Sequence, residues 1–170
     1  MKQNKLFYQD NEITIFLIKS KHGTFQVKID TKNWNKVKEY PWHIKWDCKL
    51  NKVKAAGFKE YKGKRILLHT MLLGYMMTDH IDGDVLNNLE SNLRECNKST
   101  NAMNRGKTKN NKSGFKGVCF HKNMNKWLAK INVNNKKFHL GYYSEKIEAA
   151  RAYNEAAIKY HGEFARINIL

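Results

Sequence analysis

Cysteine is scarce in this chain of 170 residues: Cys48, Cys96 and Cys119 are odd in number and far apart. No C-x-x-C pair occurs, which argues against a zinc ribbon and a disulfide framework and fits a reducing compartment. Long apolar runs are also missing. The N-terminus, MKQNKLFYQDNE, lacks the apolar core of a signal peptide, and the nearest apolar run, Ile15 to Ile18, is far short of a membrane span. A soluble, intracellular, cytoplasmic protein with no membrane partner is expected. Acidic residues are few, at 15 Asp+Glu against 32 Lys+Arg, for a formal net charge of +17. A surface field of that sign attracts polyanions, nucleic acid first; a ribosome-associated or merely basic protein is the plainer alternative. Arginine is scarce too, with only Arg65, Arg94, Arg105, Arg151 and Arg166. Lysine acts as a point charge and reads bases poorly, so most of these cations point to phosphate contacts. A lysine- and asparagine-heavy sequence is equally what an AT-rich gene encodes.

Hydrophobic residues make up 41% and charged residues 28%, enough to fold as one domain or two small ones. Residues 12–29 read as two strands around the turn KSKHG. Asp30 or Thr31 can cap a short helix holding Trp34, Val37 and Lys38, which should stop before Pro41. Trp42, Ile44 and Trp46 alternate as a strand does, and Tyr40, Trp42 and Trp46 read as a small aromatic core before a DNA-stacking platform. Residues 51–65 form a basic hairpin within reach of phosphates. Residues 65–77, RILLHTMLLGYMM, are apolar, and His69 among them reads first as a core residue and second as a site-lining one.

The stretch TDHIDGDVLNNLESNLRECNKSTNAMNR, residues 78–105, carries the chemistry. Phosphodiester hydrolysis needs a deprotonated water, a neutralised phosphate and a stabilised leaving oxygen. Asp79 and Asn101 offer hard oxygen ligands of the kind Mg²⁺ or Mn²⁺ takes when water and phosphate complete the shell. His80 can serve as general base. Asn92 can tie down the loop between two strands and so orient His80. The topology read here is a strand MMTDHID, a long loop, a return strand LREC and a short helix KSTNAMNR carrying Asn101 back to Asp79. Asp82, Asp84, Asn87 and Asn88 resemble a calcium loop only superficially, because the glycine position of an EF-hand falls on Asn87; a polar turn explains them better.

Residues 106–112 read as a basic linker. From Phe115 the period is 2, giving strands over 115–121, 127–133 and 137–143. A helix follows over 145–162, capped by Ser144, with an inner stripe of Ile147, Ala150, Tyr153, Ala157 and Tyr160. Alternation turns Val118, Phe120, Trp127, Ala129, Ile131, Phe138 and Leu140 toward that helix. It turns Cys119, His121, Leu128, Lys130, Asn132, Lys137 and His139 away. A donor-rich sheet face can enter a DNA major groove, although most polar strand faces are simply solvated. Residues 106–170 carry 13 Lys+Arg against 4 Asp+Glu, a net of +9, which favours the groove.

DHIDGDVLNNLESNLRECNKSTNAMN, preceded by LHTMLL, resembles the HNH endonuclease motif of phage and intron homing enzymes. The resemblance implies a ββα-metal fold with Asp79 and Asn101 as metal ligands, His80 as general base and Asn92 as the structural middle residue. An asparagine at the last position resembles the homing-enzyme variant and favours Mg²⁺ or Mn²⁺ over zinc or nickel. SGFKGV, KWLAKI, HLGYY, EAARAYNEAA and GEFARIN resemble an AP2/ERF DNA-binding domain. Its contact positions align with Lys116, Cys119, His121, Lys130, Asn132, Lys137 and His139. Several of these replace the Arg or Trp usual in that family, so its usual target sequence does not carry over.

The expected architecture is α+β. A β-rich region with a ββα-metal nuclease motif spans 1–105, a linker 106–112, and a three-stranded antiparallel sheet packed on one helix 113–170. The expected function is a site-specific DNA endonuclease of the homing type, from a phage or bacterial mobile element and associated with the nucleoid. It would use one Mg²⁺ or Mn²⁺ per site and no small-molecule cofactor, as a monomer or weak dimer on double-stranded DNA. A DNA-binding regulator with a vestigial nuclease half is the runner-up, and an RNA nuclease comes third, because A-form RNA hides its major groove from a sheet.

Overall fold

A computed structural model describes residues 5–48, 52–59, 65–75 and 77–170. The chain divides into two compact units, Met1–Glu95 and Cys96–Leu170. The first unit contains β1 (Lys5–Gln9), β2 (Ile13–Ser20), β3 (Gly23–Asp30), α1 (Trp34–Val37), β4 (His43–Asp47), β5 (Lys52–Lys59), β6 (Arg65–Leu67), α2 (Leu68–Leu73), β7 (Thr78–His80), β8 (Asn87–Asn88) and β9 (Leu93–Glu95). The second contains α3 (Lys98–Asn104), β10 (Val118–His121), β11 (Lys126–Val133), β12 (Lys136–Tyr143) and α4 (Lys146–His161). Mixed α+β is therefore the class, with several small sheets and few helices. Among the described residues no helix is long and apolar enough to cross a membrane.

In the first unit the expected hairpin is β2–β3, paired from Ile13↔Asp30 to Ser20↔Gly23. Its alternation resolves in one sense: Thr14, Phe16 and Ile18 are buried, while Ile13, Ile15 and Leu17 are only half-buried. An unexpected strand, β1, extends one edge of this sheet, and β8 extends the other by pairing parallel with β3. A second sheet runs β4–β5–β6. The expected basic hairpin is thus present as the paired backbones of β5 and β6, while residues 60–64 between them lie outside the described set. Phe16, Ile18, Val27, Ile29, Val37, Trp42, Ala56 and Leu68 form one buried cluster. Trp42 is core, with its indole Nε1 donating to Val37 O at 2.8 Å, and Trp46 stacks on His22 at 4.1 Å.

In the second unit, sheet order is β10–β11–β12 and α4 covers one face. The helix begins one residue later than expected and Ser144 is not its cap; Glu145 holds that position with no side-chain bond. The inner stripe also differs. Ala149, Ala150, Tyr153, Ala156, Ala157 and His161 are buried, while Ile147 and Tyr160 are 44% and 48% exposed. Small residues let the helix lie close on the sheet, which rotates the larger apolar side chains to its margins. On the sheet's helix side Phe120 and Phe138 are likewise marginal, packing on Trp127 and Tyr160. Leu128, expected on the open face, is buried between its cross-strand neighbours Cys119 and Tyr142.

The close approach has its tightest point at Gly117, where φ is +77° and a Cβ would lie 2.0 Å from Tyr153 Cδ2 and 2.8 Å from Lys130 O. The carbonyl of Gly117 accepts from Lys130 N at 2.8 Å, so the backbone there cannot retreat without breaking a bond. Gly117→Ala should therefore cost about 2–5 kcal/mol through left-handed strain plus overpacking. Urea denaturation read by hydrogen exchange over residues 113–170 measures it. A loss under about 1 kcal/mol would show that the packing here yields easily.

Candidate functional site

β7 and β9 pair antiparallel with Thr78↔Glu95, Asp79↔Arg94 and His80↔Leu93 in register. Three residues per strand give little ladder, so side chains must complete the hairpin. Asp79 and Arg94 do so across the strands. Arg94 Nε and Nη2 donate to Asp79 Oδ2 at 3.0 and 2.7 Å, with the two side chains 6% and 13% exposed. A carboxylate buried to that degree requires such a partner.

The loop between the strands is fixed by Asn92. Its Oδ1 accepts from Asp82 N at 3.0 Å, and its Nδ2 donates to Asp82 Oδ1 at 2.9 Å and Asn87 O at 2.8 Å. Its backbone carbonyl accepts from Ile81 N at 2.9 Å. One amide thereby ties both ends of the turn to the start of β9. Burial acts to raise the Asp82 carboxyl, but the amides of Asn87 and Asn92 and the Asp84 N–H outweigh it and hold it below the ordinary carboxylate value. The β-rich region anchors the same loop from outside. β8 pairs with Lys28 and Ile29 of β3, and Glu90 receives Lys32 at 2.6 Å and Asn33 at 3.0 Å. Asp30 Oδ2 accepts from Glu90 N instead of capping the helix that follows it.

His80 is buried at the end of β7. Its Nε2 lies 3.3 Å from Asn88 Oδ1, and Asn88 is itself 1% exposed. His69 of α2 meets it edge to face, ring centroids 5.3 Å apart. Burial pushes His80 below its ordinary value of 6.5 despite the Asn88 bond and the charges of Asp82, Asp79 and Asp84, which act to raise it. Burial, with the His80 ring adding to it, takes His69 down to about 4. Both rings are therefore neutral at pH 7, and a neutral imidazole keeps one unprotonated nitrogen.

Sequence reading put Asn88 in a polar turn, gave Arg94 no role in the site and put His69 in the core first. A charge pair facing across two short strands was the available signal for Arg94. For Asn88 there was none beyond its place next to the polar turn, because its burial follows from the β3–β8 pairing.

Asn101 lies in the second unit, on α3, which Asn97 caps: Oδ1 accepts from Ser99 N and Thr100 N, while Thr100 Oγ1 accepts from Asn97 N. The structure thus gathers Asp79, His80 and Asn92 within one hairpin and puts Asn101 in the other compact unit. Among the described residues no three His, Cys, Asp or Glu side chains gather as a metal cluster. A cation here would instead draw on the hard oxygens of one carboxylate and amides, with water and substrate completing its shell.

On the open face of the second unit's sheet, Lys130 pairs with His139 and Asn132 with Lys137, and all four are exposed. Cys119 and His121 are half-buried, the latter edge-on to Tyr142. Lys116 departs from the set: its ammonium donates to Met103 O.

The AP2 domain family model matches residues 113–163. Protein 3.8 of Escherichia phage T7 is 32% identical over 93 residues, covering 55% of this chain and 75% of its own. An uncharacterized HNH endonuclease of Acanthamoeba polyphaga mimivirus is 27% identical over 172 residues, covering 95% of this chain and 84% of its own. An ethylene-responsive transcription factor of Arabidopsis thaliana is 35% identical over 81 residues, 18% of its length. The chain belongs to the family of phage T7 protein 3.8, and its likenesses support an HNH-plus-AP2 architecture with the AP2 domain at residues 113–163.

Proposed function

We propose that this protein is a metal-dependent DNA endonuclease of the homing type, in which the hairpin at 78–95 supplies the chemistry and the sheet at 118–143 selects the site. The observation that carries the reading is the neutral, buried His80, held beside a buried carboxylate at the end of β7, where β3, Lys32, Asn33 and Asn92 brace the loop that follows. The sequence likeness to a viral HNH endonuclease over 95% of this chain supports the same class.

His80 accepts the proton of the attacking water on one ring nitrogen while Asn88 Oδ1 orients the ring through Nε2. Asn92 does not touch substrate; it fixes the loop that carries Asn88. Asp79 and Asn101 would hold one Mg²⁺ or Mn²⁺, whose donor set theirs fits. Bound there, the cation would neutralise the scissile phosphate and the leaving oxygen. Arg94 holds the Asp79 carboxylate in one orientation. Lys130, Asn132, Lys137 and His139 present donors toward base edges in the major groove, with Cys119 and His121 beside them. The acidic Asp82–Asp84–Asn87 turn belongs to the scaffold.

A regulator with a silent nuclease half is the second reading, favoured by the bonds Arg94 already makes to Asp79. Plasmid incubated with Mg²⁺ or Mn²⁺, with and without EDTA, separates the two. Cleavage that EDTA abolishes is expected; intact plasmid in every lane would favour the regulator. His80→Ala should reduce cleavage by at least about 100-fold, the usual worth of a general base, with DNA affinity nearly unchanged. Wild-type rates from that variant would remove His80 from the mechanism.

The pH dependence follows from the lowered His80 value. A base titrating below 6.5 stays free at pH 7, so the acid limb of kcat/KM should have its midpoint below 6.5. The same shift has a consequence for stability. His69 and His80 bind protons more readily unfolded, so stability is full above 6.5 and is lost as pH falls from there toward the folded values. Circular dichroism at each pH therefore accompanies the rate profile. A midpoint at or above 6.5 with the protein fully folded would contradict the assignment.

A further inference from the structure

We infer that Lys116 is a positioning residue that fastens α3, and with it Asn101, to the AP2 domain, instead of a contact to DNA. The inference rests on the nuclease reading only in the role it gives Asn101.

The family alignment directs Lys116 toward DNA, but its surroundings are those of an internal strut. The backbone of Lys116 is held on both sides by one side chain: its N–H donates to Asn168 Oδ1 at 2.7 Å, and its carbonyl accepts from Asn168 Nδ2 at 3.1 Å. Asn168 is in turn fixed to α4, through its N–H to Asn154 Oδ1 at 2.7 Å and Asn154 Nδ2 to its carbonyl at 2.9 Å. The adjoining Gly117 is locked against Tyr153. The residue therefore sits on a fixed base, and its side chain is half-buried.

From that base the ammonium lies 5.9 Å from the Tyr153 ring centroid and donates to Met103 O. Met103 is in the last turn of α3, where backbone carbonyls lack helical partners and a cation is the favoured cap. Asn101 stands two residues earlier on the same short helix. α3 has only seven residues and packs on the Gly162–Phe164 turn, so its own propensity cannot hold it. Burial, with the Arg166 charge adding to it, takes Lys116 down to about 8, as fits an amine drawn partly out of water. A continuous path results: α4, Asn154, Asn168, Lys116, Met103, Asn101. The last residue is thereby placed in the frame of the unit that reads DNA.

The test uses the full chain as wild type, Lys116→Met and Lys116→Arg. Methionine keeps the apolar stem and removes the charge; arginine keeps the donor. Hydrogen exchange at α3 amides 101–104 should quicken roughly tenfold or more in Lys116→Met and return toward wild type in Lys116→Arg, the scale of one lost bond to a charged group. Cleavage kcat should fall by a similar factor, with KM, DNA Kd and the salt dependence of binding unchanged. Unaltered exchange over α3 in Lys116→Met would overturn the inference. So would unchanged kcat with weaker Kd and a salt slope reduced by about 1, which is the signature of a phosphate contact. If the wild-type protein cuts nothing, the nuclease reading fails by itself, and the exchange data still decide whether Lys116 holds α3.

Discussion

A hairpin with three residues on each strand does not persist in water, yet β7 and β9 hold a buried aspartate, a buried histidine and a half-buried arginine in fixed register. The Asn92 amide resolves that conflict. It reaches Asp82 twice and Asn87 once, which converts a twelve-residue excursion, 81–92, into a closed, cross-braced turn. Entropy is the reason it matters. Ordering that many loop residues costs on the order of 1–2 kcal/mol each, more than a three-rung ladder returns. The remainder comes from β3, Lys32 and Asn33, which grip the loop at β8 and Glu90. The N-terminal sheet thus acts as a foundation for the hairpin, and its large apolar cluster is what makes it rigid enough for that.

Electrostatics follow the same economy of means. In a chain of net charge +17, a buried carboxylate at Asp79 is paired with one of only five arginines, whose planar fork grips Oδ2 through two nitrogens. A lysine would satisfy the charge but not the geometry. Among the described residues the lysines other than Lys116 lie on exposed faces, where a compact hydrated charge suits a polyanion. Residue choice therefore separates the two tasks: arginine organises the interior of the hairpin, and lysine supplies the outer field.

How much of this the sequence disclosed depended on the range over which each feature is encoded. Alternation in FKGVCFH, WLAKINV and KFHLGYY, with helical spacing after Ser144, sufficed to place the second unit's sheet and helix, because these are local patterns. The strand pair around Asp79 and Arg94 was legible for the same reason. What escaped was set at a distance. β8 exists only because residues 87–88 lie beside β3, some sixty positions away in sequence, and Asn88 is buried for that reason alone. The α4 stripe was misjudged because its spacing fits two neighbouring rows. The sheet's need for close approach chose Ala149 and Ala156 over Ile147 and Tyr160. Lys116 was assigned by alignment to a DNA-contact row, and no sequence signal marks the carbonyl of Met103 as its acceptor.

The contact boundary at Glu95 falls inside the stretch that sequence reading treats as one motif. Asp79, His80 and Asn92 fold with the N-terminal sheets, and Asn101 folds with the AP2 domain. Asp79, His80 and Asn92 are braced by the β3–β8 pairing and the Lys32 and Asn33 bonds to Glu90, all within the first unit. Asn101 is placed by contacts within the second unit: the Asn97 cap at one end of α3 and the Lys116 ammonium on Met103 O at the other. Two neighbouring stretches of one sequence motif thus owe their local order to different cores.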